Sequence, residues 1–327
     1  MKQLWTKMLI GMCRAVTRIL PQYSGIRIVL GRTLLQNNHI NEACRQFRLA
    51  VNLVPDNVIA LDGFSDALMA ADAPDDAVTV LERAVSIDPT QSSRAFRLAN
   101  ARFECGDAER ALQAYKLALQ LEPLNGRAYF NMGHTYKELG QLEMSAQAFA
   151  NAVYVEPRFY KARFMRAHVL TLMGHLPEAV QEYQRTIRDS PKYVKAHYNL
   201  GNCHFQEERF ELAVESYERV TTLDSTYNKA FYALGQAWLQ LDQLEQARVA
   251  FVQALRLRAD MHSCRFQLAS LLDEQGRSAE AVMHYRVFLR DSPPSKEHVL
   301  VQARLDAINN LHRAAAEPIQ PVPMPAL

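Results

Sequence analysis

AHYNLGNCHFQEERFELAVESYERVTTLDS, residues 196–225, sets a bulky residue, Leu200, beside a small one, Gly201, then returns to a small residue at Ala213 and a ring at Tyr217. The same order stands in AYFNMGHTYKELGQLEMSAQAFANAVYVEP, residues 128–157, with Met132, Gly133, Ser145 and Phe149 in the corresponding places. Prolines at 55, 89, 123, 157 and 191 are 34 residues apart, and three more steps of 34 pass Ser225 and Ala259 and land on Pro293. A fixed period of this length is read before local propensity, because it dictates the fold.

Eight units without insertions begin at Ser24, Val58, Ser92, Gly126, Tyr160, Val194, Asn228 and His262. Position 7 of each is bulky and apolar (Leu30, Phe64, Leu98, Met132, Leu200, Leu234, Leu268), with Arg166 as the exception. Position 8 is always small (Gly31, Ser65, Ala99, Gly133, Ala167, Gly201, Gly235, Ala269), and so is position 20 (Ala43, Ala77, Ala111, Ser145, Ala179, Ala213, Ala247, Ala281). Position 24 is large: Phe47, Leu81, Tyr115, Phe149, Tyr183, Tyr217, Phe251, Tyr285. Small residues at 8 and 20 let two antiparallel helices approach, and the large residue at 24 fills the space beside them at close-packed density. Position 15 is Gly106, Gly140, Gly174 or Gly276, or else Asn38, Asp72 or Asp242, types that accept the left-handed turn ending a first helix. Proline at position 32 closes the second helix. Such a helix-turn-helix unit cannot bury its own apolar face and must stack on neighbours.

Composition agrees. The chain has 327 residues, 49% hydrophobic and 22% charged, so it can form a sizeable core and is not a disordered protein. With 37 basic and 35 acidic residues the net charge is +2, too small for a global field that recruits nucleic acid. The five separated cysteines (Cys13, Cys44, Cys105, Cys203, Cys264) contain no C-x-x-C and indicate reduced thiols in a cytoplasmic setting. No run of eighteen apolar residues suits a spanning helix.

The two segments quoted above resemble tetratricopeptide repeats, and units in the same register cover residues 24–295. Arg102 and His204 depart from the pattern, standing where a bulky apolar residue is usual, and Pro74 follows the turn of the second unit. The resemblance implies an all-α, right-handed superhelical α-solenoid whose concave face is lined by the first helix of each unit. The expected organisation is a basic amphipathic helix over 1–23, read as a degenerate half-repeat cap, then units 24–57, 58–91, 92–125, 126–159, 160–193, 194–227, 228–261 and 262–295. A capping helix over 296–316 and a Pro-rich extended tail over 317–327 follow; a Pro-rich ligand motif is the alternative reading of that tail.

In this family the groove is lined notably by positions 2, 5, 9, 12 and 13. Position 5 is aromatic in six successive units: Phe96, Phe130, Phe164, Tyr198, Tyr232 and Phe266. Position 2 is basic in four: Arg127, Lys161, Lys195 and Lys229. Position 9 carries Asn100, His134, His168, Asn202 and Gln236, and position 6 carries Asn131 and Asn199. Rings take apolar side chains, amides pair with peptide backbone, and cations attract carboxylates. The expected function is a non-catalytic scaffold that binds an extended peptide of a partner protein, with an acidic segment or a C-terminal carboxylate as the favoured ligand. Generic repeat surface and ring packing against a neighbouring helix are the plainer readings of the same residues. In the first two units position 5 is Ile28 and Asp62, so a groove site is expected in units three to eight.

Catalysis and cofactors are not expected: no nucleophile elbow, Walker loop, zincin helix or dinucleotide fingerprint is present. His134 and His168 lack a carboxylate or thiolate companion for a metal, and Cys203 and His204 point about 100° apart as helix neighbours. In MKQLWTKMLIGMCRAVTRILP, residues 1–21, the uncharged run between Lys7 and Arg14 is too short for an export signal. Lys7, Arg14 and Arg18 share one helical arc, opposite Trp5, Met8, Leu9, Met12, Val16 and Ile19. Pro21 keeps the 34-residue register, which places a second helix over 7–20 and favours a half-repeat. The alternative is an assembly or membrane-targeting subunit, acting by self-association as a homo-oligomer and by peripheral contact of residues 1–20 with a membrane surface.

Overall fold

The structure is a computed structural model that describes residues 2–316; the Pro-rich segment 317–327 lies outside the described residues. Among the described residues there are eighteen α-helices and no strand. The chain divides into two compact units, Met1–Glu178 and Ala179–Leu327. The first holds α1 (Lys2–Ile19), α2 (Ser24–Gln36), α3 (Ile40–Leu53), α4 (Val58–Ala70), α5 (Pro74–Ile87), α6 (Ser92–Glu104), α7 (Ala108–Leu121), α8 (Gly126–Glu138), α9 (Leu142–Val155) and α10 (Tyr160–Leu172). The boundary falls in α11 (Leu176–Asp189), and α12 (Val194–Gln206), α13 (Phe210–Leu223), α14 (Asn228–Gln240), α15 (Leu244–Leu257), α16 (His262–Glu274), α17 (Ser278–Asp291) and α18 (Lys296–Ala316) follow. It is an all-α solenoid of paired helices.

Each pair is held by the contact that the size pattern announces. A Cβ placed on Gly31, Gly133, Gly201 or Gly235 would stand 2.9, 2.8, 2.6 or 2.5 Å from a ring atom of Phe47, Phe149, Tyr217 or Phe251. Those rings are at most 2% exposed, so they have nowhere to retreat. Substituting Gly235 by Ala is expected to cost about 1–2 kcal/mol in chemical denaturation, overpacking against Phe251 outweighing the gain in helix propensity. A variant as stable as the wild type would show that the ring can yield.

Second helices end two residues before the prolines, at Leu53, Ile87, Leu121, Val155 and Asp189, because the residue preceding a proline is pushed out of the helical region. Where position 32 is Ser225, Asp224 ends the helix instead, accepting hydrogen bonds from Thr226 N (2.9 Å) and Oγ1 (2.7 Å). Pro74, out of pattern in the sequence, opens α5 at its first turn, where a missing N–H costs nothing. Arg102 donates to Glu82 (2.9 Å) and the Arg110 carbonyl (3.2 Å) while its Nε is buried without a hydrogen-bond partner, and His204 is buried with its pKa lowered by that burial.

Position 15 takes positive φ in all eight turns, at Asn38, Asp72, Gly106, Gly140, Gly174, Asp242 and Gly276, and also at Glu208 (φ 59°). Glu208 is exposed, and the turn around it is closed by Arg209 N donating to the His204 carbonyl at 2.8 Å. A Glu in this conformation is strained, and its side-chain type did not advertise the turn. Glu208→Gly is expected to raise stability by about 0.5–1 kcal/mol, relief of strain exceeding the entropy added to the unfolded chain. A lower melting temperature would contradict this.

The helix expected over 7–20 spans Lys2–Ile19. It packs on the first pair through Ile10 and Cys13, both 8% exposed, and Arg14 grips Glu42 with Nε at 3.1 Å and Nη2 at 2.6 Å. At the far end, Val301, Leu305 and Ile308 of α18 are buried, and Asp306, exposed, accepts from Gln302 at 3.2 Å.

Candidate functional site

The residues expected to line a groove lie on first helices, one set in each unit. In the first unit Phe96, Phe130 and Phe164 sit on α6, α8 and α10; in the second Tyr198, Tyr232 and Phe266 sit on α12, α14 and α16. Five are half-buried and Phe164 is 8% exposed, so they are not free-standing rings. Each leans on the core of its own repeat. Phe96 lies 6.0 Å from Tyr115, Phe130 meets Phe149 edge-on at 5.6 Å, Tyr198 lies 5.9 Å from Tyr217, and Tyr232 lies 5.9 Å from Phe251. Phe266 stacks at a tilt on Phe288, 5.5 Å away. Packing thus takes one side of each of these five rings, which stay partly exposed, while Phe164 is buried.

A second set of rings was missed. Phe159 and Tyr227, each just before a first helix, lie 4.9 Å from Phe130 and 5.2 Å from Tyr198. Aromatic residues at 159, 193 and 227, again 34 apart, were the available signal.

The position 9 amides divide by what stands at position 24. Where that residue is Tyr, its buried hydroxyl needs an acceptor. Tyr115 donates to Asn100 Oδ1 at 2.7 Å, Tyr217 to Asn202 Oδ1 at 2.8 Å, and Tyr285 to Ser270 at 3.4 Å. Asn131 also donates to Asn100 Oδ1, at 2.8 Å, linking adjacent repeats. Where position 24 is Phe, position 9 is released from that duty: Gln236 donates to Tyr232 Oη at 3.2 Å, and His134 packs edge-on against Phe130 (4.6 Å) and Phe149 (5.2 Å). Asn199 is half-buried on α12.

Burial in that aromatic nest, helped by nearby Lys137, lowers the His134 pKa to about 4, and His168 is shifted the same way by the same causes. Both imidazoles are neutral at physiological pH. As pH falls below 6.5 the unfolded chain takes up a proton that folded His134 refuses until about 4, so folded stability declines across that window. Gln occupies the equivalent place beside Phe251, and His134→Gln is expected to lose less stability than the wild type between neutral pH and about pH 5 in chemical denaturation. Equal losses would remove His134 as a source of the pH dependence.

Arg127 and Lys161 in the first unit, and Lys195 and Lys229 in the second, are exposed, and none forms an ion pair among the described residues. The arginines of the preceding repeats behave differently. Arg94 is 9% exposed and places Nε 3.1 Å from both Asp62 carboxylate oxygens and Nη1 2.7 Å from Asp88. Arg97 bonds Asp62 as well, and Asp66 at 2.8 Å. Hydrogen bonds from Thr90 and Arg94 hold the Asp88 carboxyl down at about 2, while burial raises that of Asp66. This network fills the place where repeat two carries Asp62 instead of a ring.

Among the described residues no group of three or more His, Cys, Asp or Glu could hold a metal ion. No disulfide joins any of the five cysteines, and burial raises Cys105 to about 11 and Cys264 to about 12, away from nucleophilic use.

Tetratricopeptide repeat profiles match residues 99–140, 126–159, 167–208, 194–227 and 229–296, and the chain belongs to the tetratricopeptide repeat family. Proteins of this family bind protein or peptide partners and are in general non-catalytic scaffolds. No curated protein sequence matches the chain. Among solved structures, the C-terminal part of a TPR repeat-containing protein from Cytophaga hutchinsonii is similar with TM-score 0.65 and 15% identity, over 73% of this chain and 98% of that one. YrrB, described as a TPR protein with an unusual peptide-binding site, is similar with TM-score 0.51 and 21% identity, over 56% of this chain and 95% of that one. The MamA protein is similar with TM-score 0.50 and 22% identity, over 53% and 94%. At these identities the likeness is one of fold.

Proposed function

We propose that the protein holds an extended peptide of a partner along the first helices within a unit, with apolar side chains against the position 5 rings and carboxylates on the position 2 cations. What carries the reading is that Arg127, Lys161, Lys195 and Lys229 are exposed and outside every ion pair among the described residues, on the same helices as the rings. Elsewhere on first helices, Arg94 and Arg97 are consumed by Asp62, Asp66 and Asp88. Cations kept clear of internal partners are available to an external carboxylate, at a segment's acidic side chains or at its C-terminus. The five half-buried rings, already propped on one side, lose little freedom when a ligand covers the other. YrrB supports the assignment by analogy of fold, and the reading does not include chemistry by this chain.

The test is selection of peptides from a random displayed library on the full chain, followed by affinity measurement for the enriched sequences. Acidic or carboxylate-terminated sequences with apolar side chains are expected to be enriched, with affinity falling as salt rises. Replacing Lys161, Lys195 and Lys229 together by Ala is expected to weaken binding about tenfold or more without changing the melting temperature, since all three are exposed. Phe164 is unsuitable for truncation because its burial makes it structural. Enrichment of basic peptides, or affinities indifferent to the triple substitution, would overturn the proposal.

A further inference from the structure

The helix α1 presents three faces. Ile10 and Cys13 are buried against the repeats, and Arg14 is tied to Glu42. On the outer side Trp5 is 68% exposed, Met12 58%, Met8 51% and Leu9 41%, and the arc continues to Ile19 (76%) and Leu20 (46%). Among the described residues no other helix leaves so many large apolar side chains exposed to water.

We propose that this arc seats the protein on an anionic lipid surface, with α1 lying in the interface and its packed face still joined to the repeats. The period shows why the arc is not shaped for another repeat helix. Leu9 falls at the place of position 20, which in all eight repeats is a small residue, Ala or Ser, with 0% exposure beneath its own first helix. A Leu there, flanked by Trp5, Met8 and Met12, holds a helix off the spacing the repeats use, since such packing depends on matching sizes. Fluid acyl chains take long flexible side chains without any such match.

Charge selects the lipid. No acidic residue precedes Glu42, while Lys2, Lys7, Arg14, Arg18, Arg27 and Arg32 do. Arg14 is taken by Glu42, and Arg27 by the Pro21 carbonyl (2.8 Å) and Gln46 (3.2 Å). Arg18 is exposed and unpaired among the described residues, and at 100° per residue it falls beyond the Met8 edge of the arc. Cations bordering an apolar arc reach headgroups while the arc enters the boundary, and no described helix is long and apolar enough to cross a membrane.

The experiment is sedimentation of the full chain with vesicles of phosphatidylcholine alone and of phosphatidylcholine mixed with phosphatidylglycerol. The chain is expected to partition onto the mixed vesicles, more weakly as salt rises, and Arg18→Gln is expected to reduce partition about fivefold. Met12→Glu with Ile19→Glu is expected to abolish binding while leaving the melting temperature and selected-peptide binding unchanged, because both side chains point to water. The proposal fails if the wild type stays in the supernatant with mixed vesicles, if it partitions equally onto uncharged ones, or if the double variant still binds. Self-association that the double variant loses, without vesicle binding by either protein, would give the arc to a second chain and overturn the lipid assignment.

Discussion

A ring lying on a missing side chain sets the terms for the rest of this molecule. In four repeats the ring at position 24 stands where the Cβ of position 8 would be, and the two helices of a repeat approach only as closely as that pair allows. The other four repeats meet the same demand with Ala or Ser at position 8. The constraint reaches beyond the core. A Tyr at position 24 brings a hydroxyl inside, and that hydroxyl must be satisfied, so Asn100, Asn202 and Ser270 are drawn into service on first helices. Part of what looks like a peptide-reading surface is thus determined by the choice between Tyr and Phe in the core behind it.

That division clarifies which first-helix groups answer to the fold and which do not. Phe96, Phe130, Tyr198 and Tyr232 rest on the position 24 rings and Phe266 on Phe288, all five staying half-buried, while Phe164 is buried; Asn100 already accepts two hydrogen bonds. The cations at position 2 have no such attachment. Aspartates placed as Asp62 is could have neutralised them, and in repeats two and three that solution is in use with Arg94 and Arg97. Its absence around Arg127 and Lys161, and around Lys195 and Lys229, keeps positive potential on those helices, where a ligand's carboxylates would be met.

The repeat architecture was legible because it rests on residue size at fixed spacing, and size is written directly in the sequence. The turns were legible wherever the left-handed residue is Gly, Asn or Asp, and illegible at Glu208, whose type gives no sign of the conformation that its neighbours impose. Exposure was not legible at all. Phe164 and Phe130 share a position, yet one is buried and the other half-exposed, since burial depends on what adjoining helices carry. The Asp62, Arg94 and Arg97 network joins residues more than thirty apart whose pairing needs the helices to be in place. At the start of the chain the helix begins at Lys2 and not at residue 7, because nothing in residues 2–6 interrupts it.

A helix packed on a neighbour at one side only leaves its other side to water. The usual remedy is a polar outer face. The helix α18 adopts it in large part: Arg304 pairs with Asp273 and Gln302 with Asp306, and among the described residues its large apolar exposures are Val299 and Leu300. The helix α1 does not. Its packing needs are met by Ile10, Cys13 and Arg14, so the fold would tolerate polar residues at 5, 8, 9, 12 and 19, and yet Trp, Met, Leu, Met and Ile stand there. The apolar arc is therefore not a requirement of how α1 packs, and it stands beside a stretch of forty-one residues without one acid.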